Sequence, residues 1–190
     1  MEKINYELKE HIKVMNRILE NGIEKINEIA QLITDSYKND GKVVLFGNGG
    51  SAADAQHIAA ELVGKYKLER KSLRAMTLTT NSSILSAIAN DYDFNRIFER
   101  QVESLVDNKD VVIGISTSGN SENVIRGILK AKEIGARTVA FTGEDGGKLK
   151  NISDFLLNVP SANTPRIQEA HITLGHIICG LIEDKIFRDK

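Results

Sequence analysis

From residue 42 onward, short runs of β-branched and apolar residues alternate with helical stretches, and this alternation limits the folds open to the chain. Lys42-Val43-Val44-Leu45-Phe46, Leu73–Leu78, Asp110–Ile115, Arg137–Phe141 and Asp154–Val159 read as five strands. Between them lie helical segments at Ser51 to about Gly64, Ile84–Ala89, Asn95 to about Val106, and Glu122–Ile134, the last stopped by Gly135. Tyr66–Ser72 is charged and loop-like, and a long final helix begins near Pro165, a favoured place for proline. Strands too apolar to leave a face in water, each followed by a helix, predict an α/β fold: a doubly wound parallel sheet with helices on both faces. The flavodoxin-like strand order 2-1-3-4-5 is the common five-stranded solution. It puts the ligand outside the carboxyl ends of strands one and three, where the connections diverge.

Ahead of the first strand, residues 4–39 read as helix, with Ile12, Met15, Leu19, Ile23, Ile26, Ile29 and Ile33 at three- and four-residue steps and a break or kink at Asn21-Gly22. So long an apolar stripe predicts either a cover for the sheet edge or a contact with another subunit. The 190 residues fit one domain, with 1–40 a helical segment and 41–190 the α/β core.

A net charge of -1 with both signs mixed along the chain leaves no basic footprint for nucleic acid. One cysteine, Cys179 in an apolar helical stretch, supports no disulfide framework and reads as a small buried hydrophobe. Met1–Asn5 alternates charged and apolar residues unlike a signal peptide, and no run approaches the roughly 18 apolar residues of a membrane span. A cytoplasmic chain is expected.

The two loops at the predicted switch point are also the two most unusual. Gly47-Asn48-Gly49-Gly50-Ser51 follows the first strand. Its glycines let the backbone lie close to a ligand, and Ser51 is placed to cap a helix whose N-terminus faces an anion. Ser116-Thr117-Ser118-Gly119-Asn120-Ser121 follows the third strand and carries four hydroxyls, where a helix cap needs one or two. Neutral hydroxyls and backbone N–H groups of this kind surround a phosphate. Residues 47–52 also satisfy the loose G-x-G-x-x-A dinucleotide pattern. That reading wants an acidic residue at the end of the second strand, which here ends in Thr79-Thr80-Asn81, and it leaves the serine loop unused.

One turn into the helix after the glycines, His57 and Glu61 are four residues apart on one face, the spacing of a plain surface ion pair. The last helix carries Gln168, Glu169, His171 and His176 among Ile167, Ile172, Leu174, Ile177, Ile178, Leu181 and Ile182. A lone histidine in that setting is usually a satisfied core residue. Two histidines, a glutamate and a glutamine would also suit zinc or a similar divalent ion, and spacing leaves both readings open.

Taken together, GNGGSAADAQHIAAEL (47–62), LSAIANDYDFN (85–95), GISTSGNSENV (114–124), FTGEDGG (141–147) and TPRIQEAHITLGHI (164–177) resemble the SIS (sugar isomerase) domain family, and within it the bacterial phosphoheptose isomerases. The resemblance implies aldose–ketose isomerisation of sedoheptulose 7-phosphate to D-glycero-D-manno-heptose 7-phosphate through an enediol, the first step of nucleotide-activated heptose synthesis for cell-surface glycans. It also implies one zinc ion per subunit and a homotetramer with active sites at subunit interfaces. By motif, Ser116, Thr117, Ser118 and Ser121 would hold the phosphate. Asn48, Gly49, Gly50, Ser51, Asn90, Asp91, Glu61 and Gln168 would line the sugar site. His57, Glu61, Gln168 and His176 would be the metal ligands, with Glu61 and His176 the acid–base pair. Pro165 stands where some members carry a substrate-contacting aspartate. The same family includes phosphosugar-sensing modules of transcriptional regulators and a relative that binds the bacterial replication initiator. A non-catalytic binding role is therefore the alternative, and the presence of both Glu61 and His176 weighs against it.

Overall fold

The structure, a computed structural model, describes residues 1–188. Helices α1 (Glu2–Asn21) and α2 (Ile23–Lys38) precede the first strand and are separated at Gly22, where the sequence predicts a break. Five strands follow: β1 (Val43–Gly47), β2 (Ala75–Thr77), β3 (Val111–Ile115), β4 (Arg137–Gly143) and β5 (Phe155–Val159). They pair in parallel in the expected order β2-β1-β3-β4-β5. The interleaved helices are α3 (Gly50–Val63), α4 (Ser82–Asp91), α5 (Ile97–Leu105), α6 (Glu122–Ile134) and α7 (Thr164–Glu183). The predicted helix from Asn95 is a short 3₁₀ turn, Phe94–Arg96, leading into α5.

Both sheet faces are sealed, as unbroken apolar strands require. Val43, Leu45, Val111, Ile113, Ile115, Val139 and Phe141 pack against α1, α2, α3 and α7. Val44, Phe46, Val112 and Ala140 pack against α5 and α6. Helices α3 and α6, which follow the neighbouring strands β1 and β3, thus lie on opposite faces and open a crevice between their N-termini.

Besides small extensions, such as α4 over Ser82–Asp91 where Ile84–Ala89 is expected and β4 reaching Gly143, two boundaries differ in ways that bear on the site. Only Ala75–Thr77 of the predicted Leu73–Leu78 strand enters the ladder, because the backbone before it is held elsewhere. The Leu73 N–H donates to Leu62 O at the end of α3, and Arg70 is tied into a buried cluster described below. Ser51 is not the cap of α3. The helix begins one residue earlier, after Gly49 at φ 54°, no side chain caps it, and Ser51 is buried in its first turn.

The apolar stripe along α1 and the start of α2 divides. Val14 and Ile18 enter the core, whereas Ile4, Leu8, Ile12, Leu19 and Ile23 are each more than half exposed. Among the described residues no helix is long and apolar enough to cross a membrane.

Candidate active site

The serine loop leaves β3 beside the glycine turn that leaves β1, with Gly47 and Ile115 in register. Ser121 occupies the N-cap position of α6, yet it makes no capping bond. Its Oγ lies 2.9 Å from Ser116 Oγ, which is 3.4 Å from Ser118 Oγ. The hydroxyls therefore pool among themselves and leave the helix N–H groups uncapped except at Val124, whose N–H donates to Asn123 Oδ1 at 2.9 Å. Gly119, at φ 66°, accepts Leu149 N–H through its carbonyl. A side chain there would meet Gly146 O at 2.1 Å, so the Gly146-Gly147 turn braces the loop from behind.

Asn48 is locked in a reciprocal amide pair with Asn123, each Nδ2 donating to the other's Oδ1 at 2.9 Å. This pair ties the glycine turn to the first turn of α6. Asn123 escaped the sequence reading. Its only signal was an asparagine, a poor helix former, placed just inside a helix.

Helices α3 and α7 run side by side in the same direction. Gly50 faces Gln168, and Ile58 lies where a side chain at Gly175 would sit, 2.6 Å from its Cβ position. That close approach brings His176 to His57. Their Nε2 atoms are 3.1 Å apart, and His57 Nε2 is also 3.1 Å from Glu61 Oε1. The ligand atoms of all three lie within 4.8 Å of one another. Two imidazole nitrogens and a carboxylate oxygen thus converge, each able to offer a lone pair, with their hydrogen-bond roles set by the tautomers. A divalent cation satisfies all three at once. Two imidazoles and a carboxylate form a zinc-type donor set that leaves a position open, so these residues fit a metal.

The remaining candidates separate. Gln168 packs on the Gly50 turn, about two turns of α7 ahead of His176, and so stands on the glycine-turn side of the group. Glu169 turns to α1, bonding His11 Nδ1 at 2.8 Å and Arg166. His171 is fully buried; its Nε2 donates to Thr142 O at 3.0 Å, Nδ1 has no partner, and burial lowers its pKa to about 4. It is the core histidine, and His176 is the one that groups with His57 and Glu61. Asn90 and Asp91 end α4, exposed and bonded to each other at 2.8 Å, with no hydrogen bond within the chain to either loop among the described residues. Cys179 is free and buried, and burial pushes its thiol up to about 12, consistent with an inert core thiol.

One neighbouring carboxylate also escaped the sequence reading. Asp54, one turn before His57, has a buried Oδ2 without a partner. Burial raises its pKa to about 6, a rise that nearby His57 opposes.

A doubly wound sheet with a hydroxyl-rich loop and a His–Glu–His group at its switch point defines an α/β protein built to take a small ligand there. Comparison with known proteins narrows this. The SIS domain family matches residues 8–143. The chain is 53% identical over 189 residues to a phosphoheptose isomerase of Clostridium acetobutylicum, covering 98% of this chain and 96% of that one. It is 54% identical to that of Aquifex aeolicus, covering 98% and 97%. A solved phosphoheptose isomerase from Neisseria gonorrhoeae superposes with a TM-score of 0.92 at 44% identity, over 96% of this chain and 98% of that one. The chain belongs to the SIS domain family.

Proposed function

We propose that this chain is an aldose–ketose isomerase that interconverts sedoheptulose 7-phosphate and D-glycero-D-manno-heptose 7-phosphate. The convergence of His57, Glu61 and His176 within 4.8 Å beside a phosphate cradle carries the reading, because a module that only binds a phosphosugar has no need of it. Relatives at 53% and 54% identity, named as phosphoheptose isomerases, support the substrate. Residues 1–190 act as one domain in this reading, and the lone reduced cysteine suits the cytoplasm.

Ser116, Thr117, Ser118 and Ser121, with the first N–H groups of α6, hold the phosphate by neutral donors. The Asn48–Asn123 pair keeps the two loops in register, and Gly49, Gly50, Ser51 and Gln168 border the sugar. From the ketose, Glu61 takes the proton on C1 while His176 gives a proton to O2, forming the enediol. Glu61 then returns its proton to C2 and His176 removes the proton on O1, leaving the aldose with no net change in protons. His57, Glu61 and His176 would hold zinc, with Gln168 a further candidate ligand; such an ion polarises a carbonyl and stabilises developing negative charge. Purified protein is expected to turn over sedoheptulose 7-phosphate, to lose that activity on chelation and to regain it with zinc. Saturable binding without turnover under every metal condition would overturn the reading in favour of a binding module.

The same proposal includes a homotetramer with sites shared between subunits. The exposed stripe Ile4, Leu8, Ile12, Leu19 and Ile23 supports it, as does the outward placement of Asn90 and Asp91 beside exposed Ile84, Tyr92 and Phe94. Ile12→Glu with Leu19→Glu is expected to convert the tetramer to smaller species in light scattering. A monomeric wild type at assay concentration would refute the assembly.

A further inference from the structure

A buried cluster outside the reaction described above reaches both of its acid–base residues. Glu183, the last residue of α7, is almost wholly buried. It accepts the backbone N–H groups of Tyr66, Lys67 and Leu68 at 2.9–3.0 Å and Arg70 Nε at 2.8 Å. Burial alone would raise its pKa, but these donors outweigh that and hold the carboxyl below its ordinary range. Arg70 spends its other nitrogens on the end of α3: Nη2 donates to Glu61 O at 2.8 Å and Nη1 to Leu62 O at 2.9 Å. Three consecutive N–H groups on one carboxylate fix the backbone at residues 66–68, and that fixes where the Tyr66 ring lies. The ring stacks on His176, with centroids 5.4 Å apart and planes 18° from parallel. It reaches over Gly180, one turn beyond His176, where a side-chain Cβ would come within 3.3 Å of it. Lys67 Nζ sits 5.0 Å from the ring centroid.

His176 thus has a flat partner on its face, and only its edge is turned to His57. A ring free to rotate about χ2 would present Nε2 to the reacting atoms part of the time. A ring stacked between its helix and Tyr66 presents it continuously. We propose that Tyr66, set in place by the buried Arg70–Glu183 pair, is a positioning residue that fixes the His176 imidazole plane for the isomerisation, while Arg70 holds the turn bearing Glu61. The proposal rests on the assignment of His176 to the acid–base and metal group.

The stack depends on the ring and not on the hydroxyl, so the decisive comparison is Tyr66→Phe against Tyr66→Leu. Tyr66→Leu is expected to lower kcat on sedoheptulose 7-phosphate by roughly tenfold with KM within about twofold. It should also weaken zinc binding to the metal-free protein, followed by competition with a chelating dye, by roughly tenfold, the scale of outer-shell substitutions at metal sites. Tyr66→Phe is expected to match the wild type in both. Glu183→Gln, which keeps shape but loses the charge that collects the four donors, is expected to follow Tyr66→Leu. Wild-type kcat and zinc affinity in Tyr66→Leu would overturn the proposal, and so would equal losses in Tyr66→Phe. A wild type that binds zinc but turns over no sugar phosphate would refute the function proposed above and still leave the zinc comparison to decide the role of Tyr66.

Discussion

Glu61→Gln is expected to lower kcat for sedoheptulose 7-phosphate by about three orders of magnitude, within the range for removal of a general base, while the protein keeps its fold and assembly. The substitution preserves side-chain length at a partly exposed position in the last turn of α3, so little packing changes. It removes the only carboxylate in the His57–Glu61–His176 group, and an amide has no basic lone pair to accept a carbon-bound proton. Zinc affinity separates the two roles open to Glu61. If loss of the ion caused the defect, saturating zinc would restore turnover; with Glu61 as the base, the rate stays low at saturating zinc. A variant retaining more than a tenth of wild-type kcat would remove Glu61 from the proton transfer.

The second large effect concerns stability and comes from His171. Its neutral ring is buried against Phe141 and bonded to Thr142 O, and burial sets its pKa at about 4 against the ordinary 6.5. A base whose folded pKa is depressed contributes stability above its unfolded pKa and withdraws it as the pH falls from there toward the folded value. From pH 7.5 to pH 5 the loss from this residue is about 2 kcal/mol, becoming complete only below pH 4. Urea unfolding at both pH values should therefore show His171→Gln losing about 2 kcal/mol less than the wild type on acidification. The comparison is made at one protein concentration with chelator present, because subunit association and metal binding both shift apparent stability. Equal acid sensitivity in the two proteins would show that His171 is not buried neutral.

Much of the architecture was legible because it rests on local periodicity. The β-branched runs, the alternation with helices and the absence of polar faces on the strands lead to the order 2-1-3-4-5. The bounds of α6 follow from Ser121 before it and Gly135, at φ 90°, after it. The serine loop was legible for a different local reason, its composition: four hydroxyls behind a buried strand exceed what a cap uses. By contrast, β2 was over-read, since Leu73 and Leu78 are as apolar as strand residues but the Arg70–Glu183 cluster holds the preceding chain away from the ladder. Ser51 was misplaced as a cap because the glycine at 49 adopts a backbone conformation that starts the helix sooner.

The sequence alone determined the sheet, its order, the position of the crevice and the residue types at its rim, since these depend on which stretches must be buried and in what repeat. Only the tertiary structure decided which polar residues of α7 meet α3. Gln168, His171 and His176 point in different directions around one helix, Glu169 shares the side of His176 two turns earlier, and the periodicity of a helix does not say which neighbour each side and turn meets. The close contact of Ile58 on Gly175 settles it. It sends His176 to His57 and Glu61, His171 into the core, Glu169 to α1 and Gln168 to the Gly50 turn. The partners of Glu183 were invisible for a related reason, because backbone N–H groups more than a hundred residues away leave no trace in side-chain pattern.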